Sequence, residues 1–235
     1  MIADLHSHIL PQIDDGSASV EESIQMLRMQ KAQGICTVVA TPHFYGSQDR
    51  PERFLRRRAE AYGLLCQAME KEPELPEIYL GAEVYYFQGM SDSEQLQDLT
   101  IGNSSYIMVE MPMTKWTDRM YKELQYIWEK QGLVPVIAHL DRYVSPLSDH
   151  GIPQRLEELP VLVQVNGSFF LKRATKRMAL RMLKKDQIHL LGSDCHNLHT
   201  RQPNLGGAID TIVHELGKTG LDSICDYQAQ VLNRA

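Results

Sequence analysis

The segment LGSDCHNLHTR, residues 191–201, carries residues for two different chemistries. Five residues separate Cys195 from Arg201, which is the spacing of phosphatases that attack phosphate with a thiolate. Asp194-Cys195-His196 instead sets two metal-ligating residue types one apart, on the same side of an extended segment, with the cysteine turned away. His6-Ser7-His8 repeats that spacing near the N-terminus. A thiolate loop wraps backbone N–H groups around phosphate and favours glycine or small residues between Cys and Arg. Here His, Asn, Leu, His and Thr intervene. The metal reading is the stronger one and leaves Cys195 as small filler behind the site.

The elements that must position these residues are short apolar runs. Ile2–His6, Ile35–Thr41, Ile78–Glu83, Tyr106–Glu110, Val134–His139, Val161–Asn166 and Ile188–Ser193 read as strands buried on both faces of a parallel sheet. Helical patterns lie between them. Glu21–Gln33 has Ser19 as a cap and Gly34 as a stop, Pro51–Lys71 opens on a first-turn proline, and Trp116–Lys130 ends near Gly132. Lys172–Lys185, Pro203–Leu216 and Leu221–Asn233 complete the set, while the polar Gly89–Asn103 has room for a short helix only. Repeated strand–helix alternation predicts an α/β fold with a parallel sheet. One domain over residues 1–235, a TIM-like barrel or a seven-stranded distortion of it, fits the length.

Six of the seven runs end in chemistry. The first ends in His6 and His8, the second leads to His43, and the third ends in Glu83. The fourth ends in Glu110, the fifth in His139, and the seventh leads to Asp194 and His196. In a parallel barrel these ends share one face, where barrel enzymes keep their sites. A carboxylate closing an apolar run such as YIMVE is costly to desolvate unless paired or metal-bound. Several carboxylates together repel one another, and cations relieve that. With Asp15 in the turn-like DDG, nine His and carboxylate residues exceed what one ion needs. Two or three ions are implied, with manganese, iron and zinc all compatible.

Composition narrows the class. A hydrophobic content of 43%, 23% charged residues and a net charge of −6 describe a globular chain that is no general nucleic-acid binder. No run is apolar enough to cross a membrane, and the N-terminus lacks the basic start of a signal peptide, so a cytoplasmic location is expected. Four dispersed cysteines suggest neither a disulfide framework nor a zinc pair. Arg53, Arg56, Arg57 and Arg58 are expected on a solvated helix face, the sharper alternative being a docking surface for an acidic partner.

The run Asp4-Leu5-His6-Ser7-His8 followed by Asp15-Gly16 resembles the PHP (polymerase and histidinol phosphatase) superfamily. HSHILPQIDDG, ATPHF, GAEVYY, VIAHLDRY and SDCHNLHTRQP, in that order, resemble the bacterial manganese-dependent protein-tyrosine phosphatases of capsule and exopolysaccharide operons. The resemblance implies a distorted (β/α)7 TIM-like barrel, the PHP fold, with three divalent ions, Mn²⁺ first, Fe or Zn as alternatives. It assigns one ion to His6, His8, Glu83 and Asp194, a second to Glu83, Glu110 and His139, and a third to Asp15, His43 and His196. Asp4 would orient a ligand imidazole, and Arg142 and Arg201 would hold the phosphate. Asp141 departs from the glutamate usual in that His-x-Glu-Arg run.

The implied reaction is hydrolysis of phosphotyrosine by metal-bound hydroxide. Three divalent ions against Asp15, Glu83, Glu110 and Asp194 leave surplus positive charge, suited to a phosphate monoester dianion. Asp141 and His199 are both candidates for the general acid. The implied substrate is a tyrosine-phosphorylated protein, the C-terminal tail of a bacterial tyrosine autokinase. Rival readings are a small-molecule phosphatase of histidinol-phosphate type, a metal-dependent phosphodiesterase or nuclease, and an idle phosphopeptide-binding module.

Overall fold

A computed structural model describes residues 2–144 and 151–233. Its strands are β1 (Ala3–Ser7), β2 (Thr37–Ala40), β3 (His43–Phe44), β4 (Glu77–Leu80), β5 (Glu83–Tyr85), β6 (Tyr106–Glu110), β7 (Val134–Ile137), β8 (Leu162–Asn166) and β9 (Leu190–Gly192). The helices are α1 (Val20–Ala32), α2 (Pro51–Met69), α3 (Asp118–Gln131), α4 (Ile152–Leu156), α5 (Ser168–Leu171), α6 (Lys176–Lys184), α7 (Leu205–Leu216) and α8 (Asp222–Val231). Every strand pairing is parallel.

One sheet runs β1-β2-β4 and a second β3-β5-β6-β7-β8-β9. They are one ring with a break. Pro42 has no N–H to donate, so the ladder lapses between β2 and β3 and, opposite it, between β4 and β5. The Gly81 N–H still bonds Ala40 O at 2.8 Å and the Glu83 N–H bonds Pro42 O at 3.0 Å, so each pair continues a single strand path. The other seam closes where the Asp194 N–H bonds His6 O at 2.8 Å and the His8 N–H bonds Cys195 O at 2.9 Å. The predicted seven strand paths therefore form a curled parallel barrel, two of them in two pieces.

Local sequence explains the helices that cover it. Ser19 caps α1 by accepting from the Glu22 N–H, while the Glu22 carboxylate accepts from the Ala18 N–H at 2.8 Å. Gly132 ends α3 in the left-handed region at φ 66°. The helix expected over Lys172–Lys185 is shorter, α6 alone, because Lys172 is extended between the single turn of α5 and the start of α6. Gly89–Asn103 holds two 3-10 turns. The arginine patch on α2 is only partly solvated: Arg57 donates to Ile13 O and Arg58 to Gly81 O, and burial pushes the Arg58 pKa down.

Apolar residues form two layers. Ala3, Leu5, Val39, Met108, Val136, Ala138 and Leu190 fill the barrel, with Val231 and Leu232 at the end of α8 packed against them. The alternate strand residues, among them Val38, Ile107, Val109, Ile137, Val165 and Leu191, pack outward with the helices. Among the described residues no helix is long and apolar enough to cross a membrane.

Candidate metal centre

All nine sequence-predicted ligand residues meet at the C-terminal mouth of the barrel. Glu83 is at the middle. Its Oε2 lies 3.3 Å from His6 Nε2, 3.2 Å from His8 Nε2 and 3.0 Å from His43 Nδ1. Its Oε1 lies 2.8 Å from His139 Nε2, which is 3.4 Å from Glu110 Oε1. Asp194 Oδ1 is 3.8 Å from His6 Nε2 and 3.6 Å from His8 Nε2. At the rim, the exposed Asp15 is 3.5 Å from both His43 Nε2 and His196 Nε2. Three sets converge tightly enough to share an ion: His6, His8 and Asp194; His43, Glu83 and Glu110; His8, Asp15, His43 and His196. His8 and His43 thus each stand in two sets, where the sequence reading gives each residue but Glu83 a single partner group.

Several of these contacts are poor hydrogen bonds. His6 Nε2 and His8 Nε2 face each other at 3.2 Å, although each ring turns its Nδ1 to an acceptor, Gln164 Oε1 and Asp14 Oδ2, which leaves two Nε2 acceptors face to face when both rings are neutral. Glu83 Oε2 and His43 Nδ1 are 3.0 Å apart, yet neither finds an aligned partner among the described residues; nor does His196 Nε2. Buried polar atoms that converge without hydrogen-bond geometry fit a cation better than a proton network. The donors are imidazole and carboxylate only, as divalent transition ions accept.

The electrostatics agree. Burial pushes the Glu83 pKa up, but the imidazoles of His6, His139 and His43 outweigh it and hold the carboxyl well below its ordinary value. Burial opposes charge on His8, yet Asp14 and Glu83 raise its pKa to about 10. His139, against Glu110 and Glu83, rises to about 9. The carboxylates thus favour positive charge among these rings, which a divalent ion would supply in place of protons. His196 differs: burial and the neighbouring His8 lower it to about 4, so it presents a neutral ring.

Two backbone departures bring the ligands inward. The β1 register slips against β2 between Asp4 and Ser7, and a bulge of this kind reverses strand alternation. Leu5 therefore packs in the barrel while His6 and His8 also reach the centre. On β7, Ile137 faces outward and Ala138 inward, so plain alternation would turn His139 away. His139 instead adopts φ 35°, and Asp194 φ 53°. Such left-handed conformations cost roughly 1–3 kcal/mol each and persist where surrounding structure enforces them.

The bulge also corrects the role expected for Asp4. Its carboxylate sits behind the strand and accepts from the Ser193 N–H and Oγ, the His6 N–H and Gln30 Nε2; it bonds no imidazole among the described residues. Burial lifts its pKa to about 6 against those bonds. Orientation of the rings falls to residues that sequence reasoning missed. Asp14 Oδ2 bonds His8 Nδ1 at 2.7 Å and accepts the His43 N–H at 3.0 Å. Gln164 Oε1 lies 3.1 Å from His6 Nδ1 and accepts the His139 N–H at 2.6 Å. Asn166 Nδ2 donates to Asp194 Oδ2 at 3.0 Å. A polar residue inside the apolar run VLVQVN was the available signal for Gln164, since an unpartnered buried amide is costly. Gly16 and Gly192 matter by absence: a Cβ on Gly16 would meet His8 O at 2.3 Å, and one on Gly192 would meet the His6 Cβ at 2.5 Å.

Arg142 and Arg201 both pair with Asp194, Arg142 through Oδ2 and Arg201 through Oδ1 at 2.5 Å. Their side chains remain 33% and 35% exposed, so each guanidinium straddles the buried centre and solvent. Asp141 is largely buried, with Oδ1 accepting the Asn166 N–H and burial raising its pKa; His199 is exposed. Cys195 is fully buried, with Gln30 Nε2 3.7 Å from its sulfur. Burial and Asp4 push its pKa well above normal, so it is no thiolate nucleophile.

Fold and site together define a parallel α/β barrel with a His/carboxylate centre at the C-terminal mouth. The chain belongs to the family described as "Capsular polysaccharide synthesis, CpsB/CapC", which matches residues 2–233. It is 31% identical over 218 residues to tyrosine-protein phosphatase YwqE of Bacillus subtilis (strain 168), covering 91% of this chain and 85% of that one. It is 29% identical over 238 residues to tyrosine-protein phosphatase CpsB of Streptococcus agalactiae serotype III, covering 97% and 96%. A solved structure, from work on YwqE of Bacillus subtilis and CpsB of Streptococcus pneumoniae as unique metal-dependent tyrosine phosphatases, matches with a TM-score of 0.84 at 24% identity. That match covers 100% of this chain and 96% of the other. The lactonase Lmo2620 of Listeria monocytogenes shares the fold at TM-score 0.55 and 12% identity, covering 97% and 91%.

Proposed function

We propose that this chain is a metal-dependent protein-tyrosine phosphatase of capsule or exopolysaccharide synthesis. The observation that carries the reading is Glu83 Oε2, buried within 3.3 Å of three imidazole nitrogens and lacking an aligned hydrogen bond. His6, His8, Glu83 and Asp194 would hold one divalent ion, Glu83, Glu110 and His139 a second, and Asp15, His43 and His196 a third, with Mn²⁺ the first candidate. Bound ions of this kind lower the pKa of water toward neutrality and neutralise charge on phosphoryl oxygens.

The chain's own residues supply the rest. Asp14 and Gln164 fix the faces that His8 and His6 present. Arg142 and Arg201, half in solvent and tethered to Asp194, receive the phosphoryl oxygens and stabilise charge as the ester bond breaks. The phenol of phosphotyrosine, with a pKa of about 10, leaves more readily than an alkyl alcohol, so little help from a general acid is needed. The named activities of the curated relatives support phosphotyrosine as the ester. The family's description supports a substrate within capsule synthesis, for which the phosphorylated C-terminal tail of a bacterial tyrosine autokinase is the proposed candidate.

The test is phosphotyrosine-peptide hydrolysis under two treatments. Activity should vanish on chelation, return with Mn²⁺ and survive iodoacetamide. Activity that survives the chelator and dies on alkylation overturns the reading.

A further inference from the structure

Beside the centre lies a cavity of about 270 Å³ that none of the proposed ligands occupies. Arg142 and Tyr143 form the wall shared with the site, and Met113, Trp116 and Tyr121 supply its apolar surface. The Tyr143 ring lies 5.7 Å from that of His139 and 5.1 Å from that of Trp116, so the apolar surface runs continuously from a candidate ligand into the cavity. The Tyr143 hydroxyl donates to Met111 O at 2.6 Å, which fixes this wall. Met113 is 67% exposed at the lip.

The cavity also carries charge. Among the described residues its lining includes Lys115, Arg142 and Arg155 and no acidic residue, on a chain whose net charge is −6. Arg155 stacks 3.6 Å over the Tyr121 ring and pairs with Asp118 Oδ1 at 2.9 Å, whereas Lys115 makes no ion pair among the described residues and is the cation left to a ligand. The volume falls just below the roughly 300–1,000 Å³ of independent small-molecule pockets. It suits one large side chain of a ligand already anchored nearby.

We infer that this cavity is a second subsite of the phosphatase, taking an apolar or aromatic side chain of the phosphotyrosine-bearing segment, with an acidic residue beside it facing Lys115. The inference rests on the phosphotyrosine-protein reading above. Arg142 joins the two subsites, so a peptide with its phosphate at the centre passes this wall first. The cationic rim would select acidic flanks and raise their encounter rate in a salt-dependent way.

The experiment compares three substrates on metal-replete protein: 4-nitrophenyl phosphate, a phosphotyrosine peptide flanked by leucine and glutamate, and the same peptide with alanine flanks. Filling an apolar pocket changes kcat/KM by about tenfold or more, so the wild type should prefer the first peptide by that factor. Thr114→Trp, an exposed lip position, should block the cavity and erase the preference through KM. Lys115→Glu should erase the part that depends on glutamate. Both variants should keep wild-type turnover of 4-nitrophenyl phosphate. Equal use of the two peptides by the wild type overturns the subsite, as does an equal loss on all three substrates in Thr114→Trp. A wild type that cleaves 4-nitrophenyl phosphate and neither peptide removes the phosphotyrosine-protein reading itself.

Discussion

The barrel interior has two halves built from the same strands. In the lower half Leu5, Val39, Met108, Val136 and Leu190 meet one another and the end of α8. In the upper half, further along the same strand paths or just past their ends, His6, Glu110, His139 and Asp194 meet one another and Glu83. Both halves are buried at their middle: Leu5, Met108, His6 and His8 are all 0% exposed. Burial therefore does not distinguish them; what burial costs does. Removing apolar surface from water stabilises the fold, whereas desolvating carboxylates opposes it unless opposite charge is supplied. The lower half holds the barrel together, and the upper half stores an electrostatic demand for cations.

The two halves should fail in opposite ways. Glu83→Gln removes the charge at the middle of the upper half, and activity should fall more than about 10²-fold, beyond the loss typical of an outer partner. In a thermal melt the rise in Tm that Mn²⁺ gives the wild type, ion binding being linked to folding, should shrink in this variant. An unchanged Mn²⁺ response would place the ion elsewhere. Met108→Ala strikes the lower half. It should cost about 2–5 kcal/mol in denaturant unfolding while the folded fraction keeps its turnover. If kcat drops with stability unchanged, the two halves are not separable. Asp14→Asn tests the border, where the carboxylate holds His8 from outside the ligand set. Activity and Mn²⁺ affinity should fall about 10–100-fold. An unchanged Mn²⁺ titration would mean that His8 needs no such partner.

The boundary between the halves is also where the sequence becomes hard to read. Apolar runs ending in His, Asp or Glu were visible, because a strand buried on both faces has few reasons to carry a charge. The D-x-H-x-H pattern suggests one face for Asp4, His6 and His8, and a single bulge sends Asp4 to the other side. His139 reads as outward by alternation and is brought in by one left-handed residue. Asp14 is masked by its neighbour Asp15, since adjacent residues on a turn give no hint which of them faces the imidazole. Gln164 and Asn166 escape a search for ligands because neutral amides act on the ligands instead. Pro42 marks the interrupted ladder in the sequence, but only the closed ring shows that β2 and β3 form one path. In each case the missing information is a backbone torsion or a long-range contact, and residue type alone encodes neither.

The smallest expected effect concerns a histidine at the lower end. His189 immediately precedes β9; its Nδ1 accepts the Val163 N–H at 2.9 Å, and its ring stands edge-on to Tyr227 at 4.7 Å. Burial disfavours the imidazolium and lowers its pKa below 6.5, although Asp186 partly offsets this. A histidine whose folded pKa is depressed adds nothing against stability while both states are neutral, above about 6.5. Below that value the unfolded chain binds the proton first, so stability falls progressively until the folded pKa is passed. Wild-type Tm should therefore decline more steeply between pH 7 and pH 5 than that of His189→Asn, and metal-replete activity per folded molecule should not follow the same curve. Parallel pH profiles for the two proteins would mean that the ring is solvated enough to titrate normally. A matching shift in kcat would mean that the lower half is coupled to the chemistry above it, and the division between the two halves would not hold.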